Sequence, residues 1–181
     1  VARAAAVARR TLANSAGTLR DSTLHLDMVR VGLALYGQRP APHLGADLPL
    51  QPALAVKARV SLVRTVPSGT GVSYGHRHIT AQESRLAVVA IGYADGVLRA
   101  LSGKIHVLHQ GCPLPQVGSI TMDQIVLDAS SRPNIKVGDT VTLLGRDGDA
   151  SIHPQDWAQH CDSISWEILC GFRKRLPRVE I

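Results

Sequence analysis

The chain has 181 residues, 45% hydrophobic and 19% charged, enough for one substantial domain, or a domain plus part of another, without disulfides. No stretch approaches the roughly 18 uninterrupted apolar residues of a membrane span. The net charge is +6, yet aromatic residues make up only 3% and the basic ones are scattered, apart from Arg173, Lys174, Arg175 and Arg178, so nucleic-acid recognition is not indicated. The cysteines Cys112, Cys161 and Cys170 are odd in number and form no C-x-x-C pair. They read as buried thiols in a reducing compartment.

In chain order, Ala2 to Arg10 is alanine-rich and a good helix former. Its arginines give it the look of a targeting peptide, but no separated apolar core precedes a cleavage site, and an internal helix of a longer chain is the better reading. Met28 to Val31 reads as a short strand, and Pro40 to Gly45 as a linker by its proline and glycine content. From about residue 53 the period becomes two: Val56, Ala58, Val60 and Leu62 share one face, Lys57, Arg59 and Ser61 the other. Leu86 to Ile91 is a continuous apolar run, as in a strand buried on both sides. Ile105 to Val107 leads into a hairpin signal at Gln110-Gly111, and Val117 to Leu127 and Thr140 to Leu144 continue the series of short strands. Asp147-Gly148-Asp149 suits a tight turn. Pro154 opens a short helix through Trp157 to Cys161, and a second helical piece spans about Trp166 to Phe172.

Several local signals compete as functional sites. Gly69-Thr70-Gly71 resembles a phosphate loop, but no strand-loop-helix unit surrounds it, and a strained turn that places Tyr74 fits better. His76 and His78 alternate as a metal pair would, without an evident third ligand, so no metal site is expected. Each of the three tyrosines adjoins a glycine: Tyr36-Gly37, Tyr74-Gly75 and Gly92-Tyr93. Taken singly, these are turn anchors.

Five segments in one order change that reading: Ala13-Asn-Ser-Ala-Gly17, Met28-Val-Arg-Val-Gly-Leu-Ala-Leu-Tyr-Gly37, Gly71-Val-Ser-Tyr-Gly75, Gly92-Tyr-Ala-Asp-Gly96 and Ser119-Ile-Thr-Met-Asp-Gln124. Together with Trp166 to Cys170 and Arg175-Leu-Pro-Arg178, they resemble the carboxy-terminal part of alanine racemases, enzymes that use pyridoxal 5'-phosphate (PLP). The resemblance implies a mostly β fold. Residues 1–40 would form the last strands and helices of a PLP-binding (β/α)8 barrel, 41–52 a linker, and 53–181 a carboxy-terminal β-barrel-like domain. It also implies a cytoplasmic homodimer with head-to-tail shared sites, interconverting L- and D-alanine and supplying D-alanine for peptidoglycan.

The resemblance assigns roles residue by residue. Racemisation takes the Cα proton from one face and returns it on the other, so two bases must flank the substrate; Tyr74 matches one of them. A phenol ionises near about pH 10, so action near neutrality needs a neighbouring cation, which the family draws partly from barrel groups outside these residues. Arg30 matches the arginine on the PLP ring nitrogen. Because guanidinium keeps its proton, that nitrogen stays an acceptor and the ring a weaker electron sink. Ser15 and the backbone of Gly32 and Leu33 match the phosphate-binding positions, and Tyr93 and Met122 those lining the substrate carboxylate. Lys174 stands near a position where some relatives carry a phosphate-touching tyrosine, and Thr11 where histidine is common.

The lysines are Lys57, Lys104, Lys136 and Lys174, and none lies in the family's cofactor-bearing motif. Lys57 reads as a solvent-facing strand residue. The expectation is therefore that the chain alone is inactive and that racemisation needs further residues, from the same polypeptide or a partner. Two alternatives stand beside this: a non-catalytic β-domain module that dimerises with or completes a partner PLP barrel, and a related amino-acid decarboxylase, disfavoured by the arginine at the ring position and by the Tyr74 motif.

Overall fold

A computed structural model describes residues 9–180, which divide into two compact units between Leu54 and Ala55. Most of the Ala2–Arg10 helix expected from sequence lies outside the described residues. Arg9 and Arg10 themselves belong to no regular element.

In the first unit, strand β1 (Thr11–Asn14) runs straight into helix α1 (Ser15–Arg20). Asn14 makes this junction because its side chain accepts from the Gly17 N–H at 3.0 Å, satisfying a donor that the first helical turn leaves free. Strand β2 (Met28–Arg30) pairs with β1 in parallel, with Asn14 opposite Arg30. Parallel strands need a crossover, and α1 with a 3-10 turn at Ser22–Leu24 supplies it. A second 3-10 turn, Leu33–Tyr36, follows β2. The proline- and glycine-bearing stretch beyond is a run of turns, tied down by Arg39, whose Nε donates to the Gly45 carbonyl at 3.0 Å and whose Nη2 donates to that of Leu48.

The second unit is mostly β. Its strands are β3 (Val56–Val66), β4 (Gly71–Val72), β5 (His78–Ile79), β6 (Ser84–Val89), β7 (His106–His109), β8 (Cys112–Val117), β9 (Ile125–Asp128), β10 (Thr140–Asp147) and β11 (Ala150–Ile152). Seven form one sheet in the order β11-β10-β3-β6-β9-β8-β7, all antiparallel, and β4 pairs with β5 as a separate hairpin. A further pairing of Thr142 with Leu108 brings β7 back to β10, so the sheet curls into a barrel-like form whose seam rests on one residue pair.

The core is what the apolar runs predict. Ala87 and Val89 of β6, Val107 of β7, Leu114 of β8, Ile125 and Leu127 of β9, and Val141 and Leu143 of β10 are all completely buried. Each such valine, leucine or isoleucine contributes about 1.5–3 kcal/mol by leaving water. The Gln110-Gly111 hairpin forms as expected, with φ of 51° and 76°, the pair of left-handed residues that a type I′ turn requires. Helices α2 (Pro154–His160) and α3 (Ser165–Gly171) close the unit, with Trp157 and Ile168 buried and the Trp157 and Phe172 rings 6.1 Å apart. The His153 N–H donates to the Asp156 carboxylate at 2.7 Å, which fixes the start of α2.

Three details differ from the sequence expectation. Leu62 does not share the buried face of Val56 and Val60 but is 46% exposed. Between Val60 and Leu62 the β3–β6 register shifts, two residues of β3 opposing one of β6, and such a bulge inverts the alternation beyond it. Val117 to Leu127 is not one strand, because residues 118–124 leave the sheet as a loop. The cysteines are not buried: Cys170 is exposed, Cys112 and Cys161 only partly covered.

Candidate active site

The loop 118–124 is the organising feature of the second unit's candidate site. Gln116 fixes its start, Nε2 donating to the carbonyls of Val117 and Gly118 at 2.8 and 3.0 Å. Ser102 Oγ accepts from the Ile120 N–H at 2.9 Å, and Ile120 is buried beneath the loop. Gly118 has φ of 70°, and a Cβ there would lie 2.9 Å from the Val72 carbonyl oxygen, so both conformation and space call for glycine.

From this platform the loop holds Tyr74 on one side. Ser119, itself buried, donates from Oγ to the Tyr74 carbonyl at 3.2 Å. Val72, two residues before the tyrosine, packs with Val66, Leu86 and Val117 and is 4% exposed. Between them the backbone is strained: Ser73 has φ of 59° with ψ of −175°, a region that non-glycine residues seldom occupy. The effect is to project the Tyr74 ring outward, where it is 81% exposed. The sequence expectation of a strained turn placing Tyr74 is the geometry found.

On its other side the loop grips Tyr93. The Tyr93 N–H donates to the Thr121 carbonyl at 2.9 Å and the Ala94 N–H to that of Met122 at 3.0 Å. Gly92 lies so close to these two carbonyls that any Cβ would collide with them. Among the described residues the Met122 N–H itself meets no protein acceptor. It is left as a free donor beside the exposed Tyr93 and Met122 side chains. One loop thus gathers Tyr74, Tyr93 and Met122.

Sequence reasoning missed what lies behind them. Asp95, 7% exposed, accepts from the Gly92 N–H through Oδ2 at 2.9 Å and from Arg175 Nε through Oδ1 at 2.9 Å. Arg175 Nη2 reaches Asp123 Oδ1 at 2.6 Å. The Asp123 hydrogen bond, then the nearby Asp95 charge, hold the guanidinium pKa above its ordinary value. Asp95, Asp123 and Arg175 each stand inside a segment quoted for the resemblance, but nothing in the linear sequence pairs them.

In the first unit, Ser15 follows β1 directly and Arg30 closes β2, so both stand at the carboxyl ends of a parallel pair. The buried Ser15 Oγ accepts from the Gly32 and Ala34 N–H groups at 3.1 and 3.3 Å, and Leu33 is buried at the start of its 3-10 turn. Arg30 is exposed, with Nη1 donating to Thr11 Oγ1 at 2.9 Å. A hydroxyl among backbone donors can hold an oxyanion such as phosphate, and the free edge of a guanidinium can donate to an acceptor nitrogen.

No group of histidine, cysteine, aspartate and glutamate that could hold a metal ion occurs among the described residues, and no helix among them is long and apolar enough to cross a membrane. Lys57 is exposed, its Nζ donating to Thr142 Oγ1 at 3.2 Å.

Comparison with known proteins gives these clusters their setting. The family model described as "Alanine racemase, C-terminal domain" matches residues 53–180, and "Alanine racemase, N-terminal domain" matches residues 1–40. The chain belongs to the alanine racemase family. An alanine racemase of Prochlorococcus marinus is 64% identical over 172 residues, 95% of this chain and 45% of that protein. One from Nostoc is 57% identical over 94% of this chain and 44% of its own length. Among solved structures, alanine racemase from D-cycloserine-producing Streptomyces lavendulae superposes with a TM-score of 0.86 at 43% identity, over 94% of this chain and 45% of that one. The Bacillus anthracis alanine racemase with bound L-Ala-P gives 0.83 at 39% identity, over 90% of this chain and 42% of that one. The chain therefore spans about half the length of the alanine racemases it matches.

Proposed function

We propose that this chain serves in a PLP-dependent alanine racemase interconverting L- and D-alanine, in which it supplies the tyrosine base, the substrate-carboxylate contacts and part of the cofactor cradle. The observation that carries the reading is the loop 118–124, which holds Tyr74 through Ser119 and Tyr93 through Thr121 and Met122. Family membership gives that grouping its chemical meaning.

Tyr74 would move a proton between its phenolic oxygen and one face of the substrate Cα. Its ring is free to do so because the chain holds its backbone and leaves its side chain in the open. The Met122 N–H is the donor for the substrate carboxylate, and the Tyr93 ring borders it. On the cofactor side the residues fit PLP by the chemistry of their donors. The Ser15 hydroxyl with the Gly32 and Leu33 backbone would hold the phosphate, and Arg30 would donate to the ring nitrogen without giving up its proton. Bound PLP supplies an electron sink for the pair left when the Cα proton departs. The second base, a lysine in the family, matches none of Lys57, Lys104, Lys136 or Lys174 and would come from residues beyond this sequence. Residues 1–40 would belong to the cofactor barrel, 41–52 to a linker and 53–181 to the substrate-side domain. The working unit would be a head-to-tail homodimer in the cytoplasm.

The direct test joins this chain to the barrel of the Prochlorococcus marinus relative and follows optical rotation of L-alanine with PLP. Racemisation that disappears on Tyr74→Phe supports the reading. A joined enzyme that folds and binds PLP but leaves L-alanine unchanged overturns it.

A further inference from the structure

Arg175 lies 80 residues from Asp95 and 52 from Asp123, and it ties together the two loops that carry Tyr93 and Met122. Its two arms differ in kind. The Asp123 arm is open to water, the carboxylate being 58% exposed, and exposed ion pairs contribute little. The Asp95 arm reaches a carboxylate 8% exposed, whose other oxygen already holds the Gly92 N–H. Without the guanidinium, that carboxylate would be buried and half-compensated, a strongly unfavourable state. The fork geometry matters because one planar group reaches both acids, which a lysine ammonium cannot reproduce. Backbone packing supports the same link, since Gly96 at the end of the Tyr93 loop lies against Gly171 and Phe172, just before the segment carrying Arg175.

We propose that Arg175 is a positioning residue for substrate binding: by clamping Asp95 to Asp123 it fixes the Tyr93 loop against the Met122 loop and aims the free Met122 N–H at the substrate carboxylate. This rests on the functional reading above, in which Tyr93 and Met122 face that carboxylate. In this reading the guanidinium acts through the two loops, by its bonds to Asp95 and Asp123, rather than by its own contact with the substrate. The Asp95 arm sets the loop position, and the Asp123 arm adjusts it.

Two measurements test the clamp. Amide hydrogen exchange on the 181-residue chain reads the loops directly. Arg175→Ala should speed exchange of the Gly92, Tyr93 and Ala94 amides about tenfold, leaving β6 and β9 unchanged. Asp95→Asn should match it, Asp123→Asn should show less, and Arg175→Lys should recover part of the protection. In the joined racemase, Arg175→Ala should raise KM for alanine about tenfold, as expected for a misplaced bond to a charged group, with kcat altered much less. Unchanged exchange in both loops, or faster exchange with an unchanged KM, overturns the proposal. Should the unsubstituted joined enzyme fail to racemise alanine, the functional reading falls, and with it the substrate half of this proposal. The exchange pattern then still decides whether Arg175 clamps the loops.

Discussion

Arg30 Nη1 donates to the Thr11 hydroxyl at 2.9 Å, across the parallel pairing of β1 with β2. The resemblance sets Thr11 where histidine is expected, and the sequence alone gives that difference no consequence. The structure does: Thr11 is a small neutral acceptor that braces the guanidinium proposed to meet the PLP ring nitrogen. An imidazole there would titrate near pH 6.5, whereas a hydroxyl does not. Thr11→Val should therefore weaken PLP binding in the joined enzyme about two- to tenfold, the range for one lost hydrogen bond. Thr11→Ser should restore it, and fluorescence titration with PLP at pH 6 and pH 8 should show the same loss at both.

Tyr74→Phe separates chemistry from stability. The ring is 81% exposed and the chain is anchored there by the Tyr74 carbonyl, which the substitution keeps. Urea unfolding of the 181-residue chain should shift by less than about 0.5 kcal/mol. Racemisation by the joined enzyme should fall about 10²- to 10⁴-fold, the usual contribution of a positioned acid or base. A large stability loss with modest loss of rate would reverse the assignment.

Gly118→Ala tests the platform itself. A left-handed alanine costs about 1–2 kcal/mol from conformation alone, and the 2.9 Å approach to the Val72 carbonyl adds to it. The chain should lose at least that much in urea unfolding. Gly103, also left-handed at φ of 71° but with open space around it, should lose only the conformational part when replaced by alanine.

These cases show where sequence reasoning reached and where it stopped. Patterns set by neighbours along the chain are legible: the Gln110-Gly111 turn, the apolar strand β6 with Leu86, Ala87 and Val89 buried, although Ala90 beyond it is exposed, and the proline start of α2. The Tyr74 turn was legible because glycine spacing marks local backbone strain. The exposure of Leu62 is not legible, because a bulge depends on how β6 pairs with β3, which β3 alone does not encode. Residues 118–124 carry strand-like residues between β8 and β9, yet they leave the sheet, with Ser119 and Ile120 buried and Met122 exposed. Hydrogen bonds to Gln116, Ser102 and Tyr74 from elsewhere in the fold hold them as a loop. The Arg175 pairs join residues far apart in the chain, and only the fold brings them together.

Cysteine reactivity offers a check on burial. Partial burial, with help from the Glu167 charge, pushes the Cys161 thiol pKa up, and its Sγ also donates to the Trp157 carbonyl at 3.2 Å. A raised pKa means less thiolate at a given pH, and thiolate is the reactive form. With iodoacetamide at pH 8, exposed Cys170 should therefore alkylate well before Cys161, read by peptide mass spectrometry. Faster labelling of Cys161 would mean that the turn after α2 opens more readily than the structure indicates.

The proposed head-to-tail dimer makes the sharpest demand on the functional reading. If Tyr74 of one chain serves the cofactor held by Arg30 of the other, each substitution in its own homodimer disables both sites. A dimer of one Tyr74→Phe chain with one Arg30→Ala chain then places both defects in a single site and leaves the other intact. Joined enzymes carrying the two substitutions, unfolded together in equal amounts and refolded, should regain about a quarter of the unsubstituted activity, since half the dimers are mixed and each has one good site. If Tyr74 and Arg30 of one chain served the same site, every site in every dimer would carry one defect or the other. Mixing would then restore nothing, and the shared-site arrangement would have to be abandoned even if the racemase activity stood.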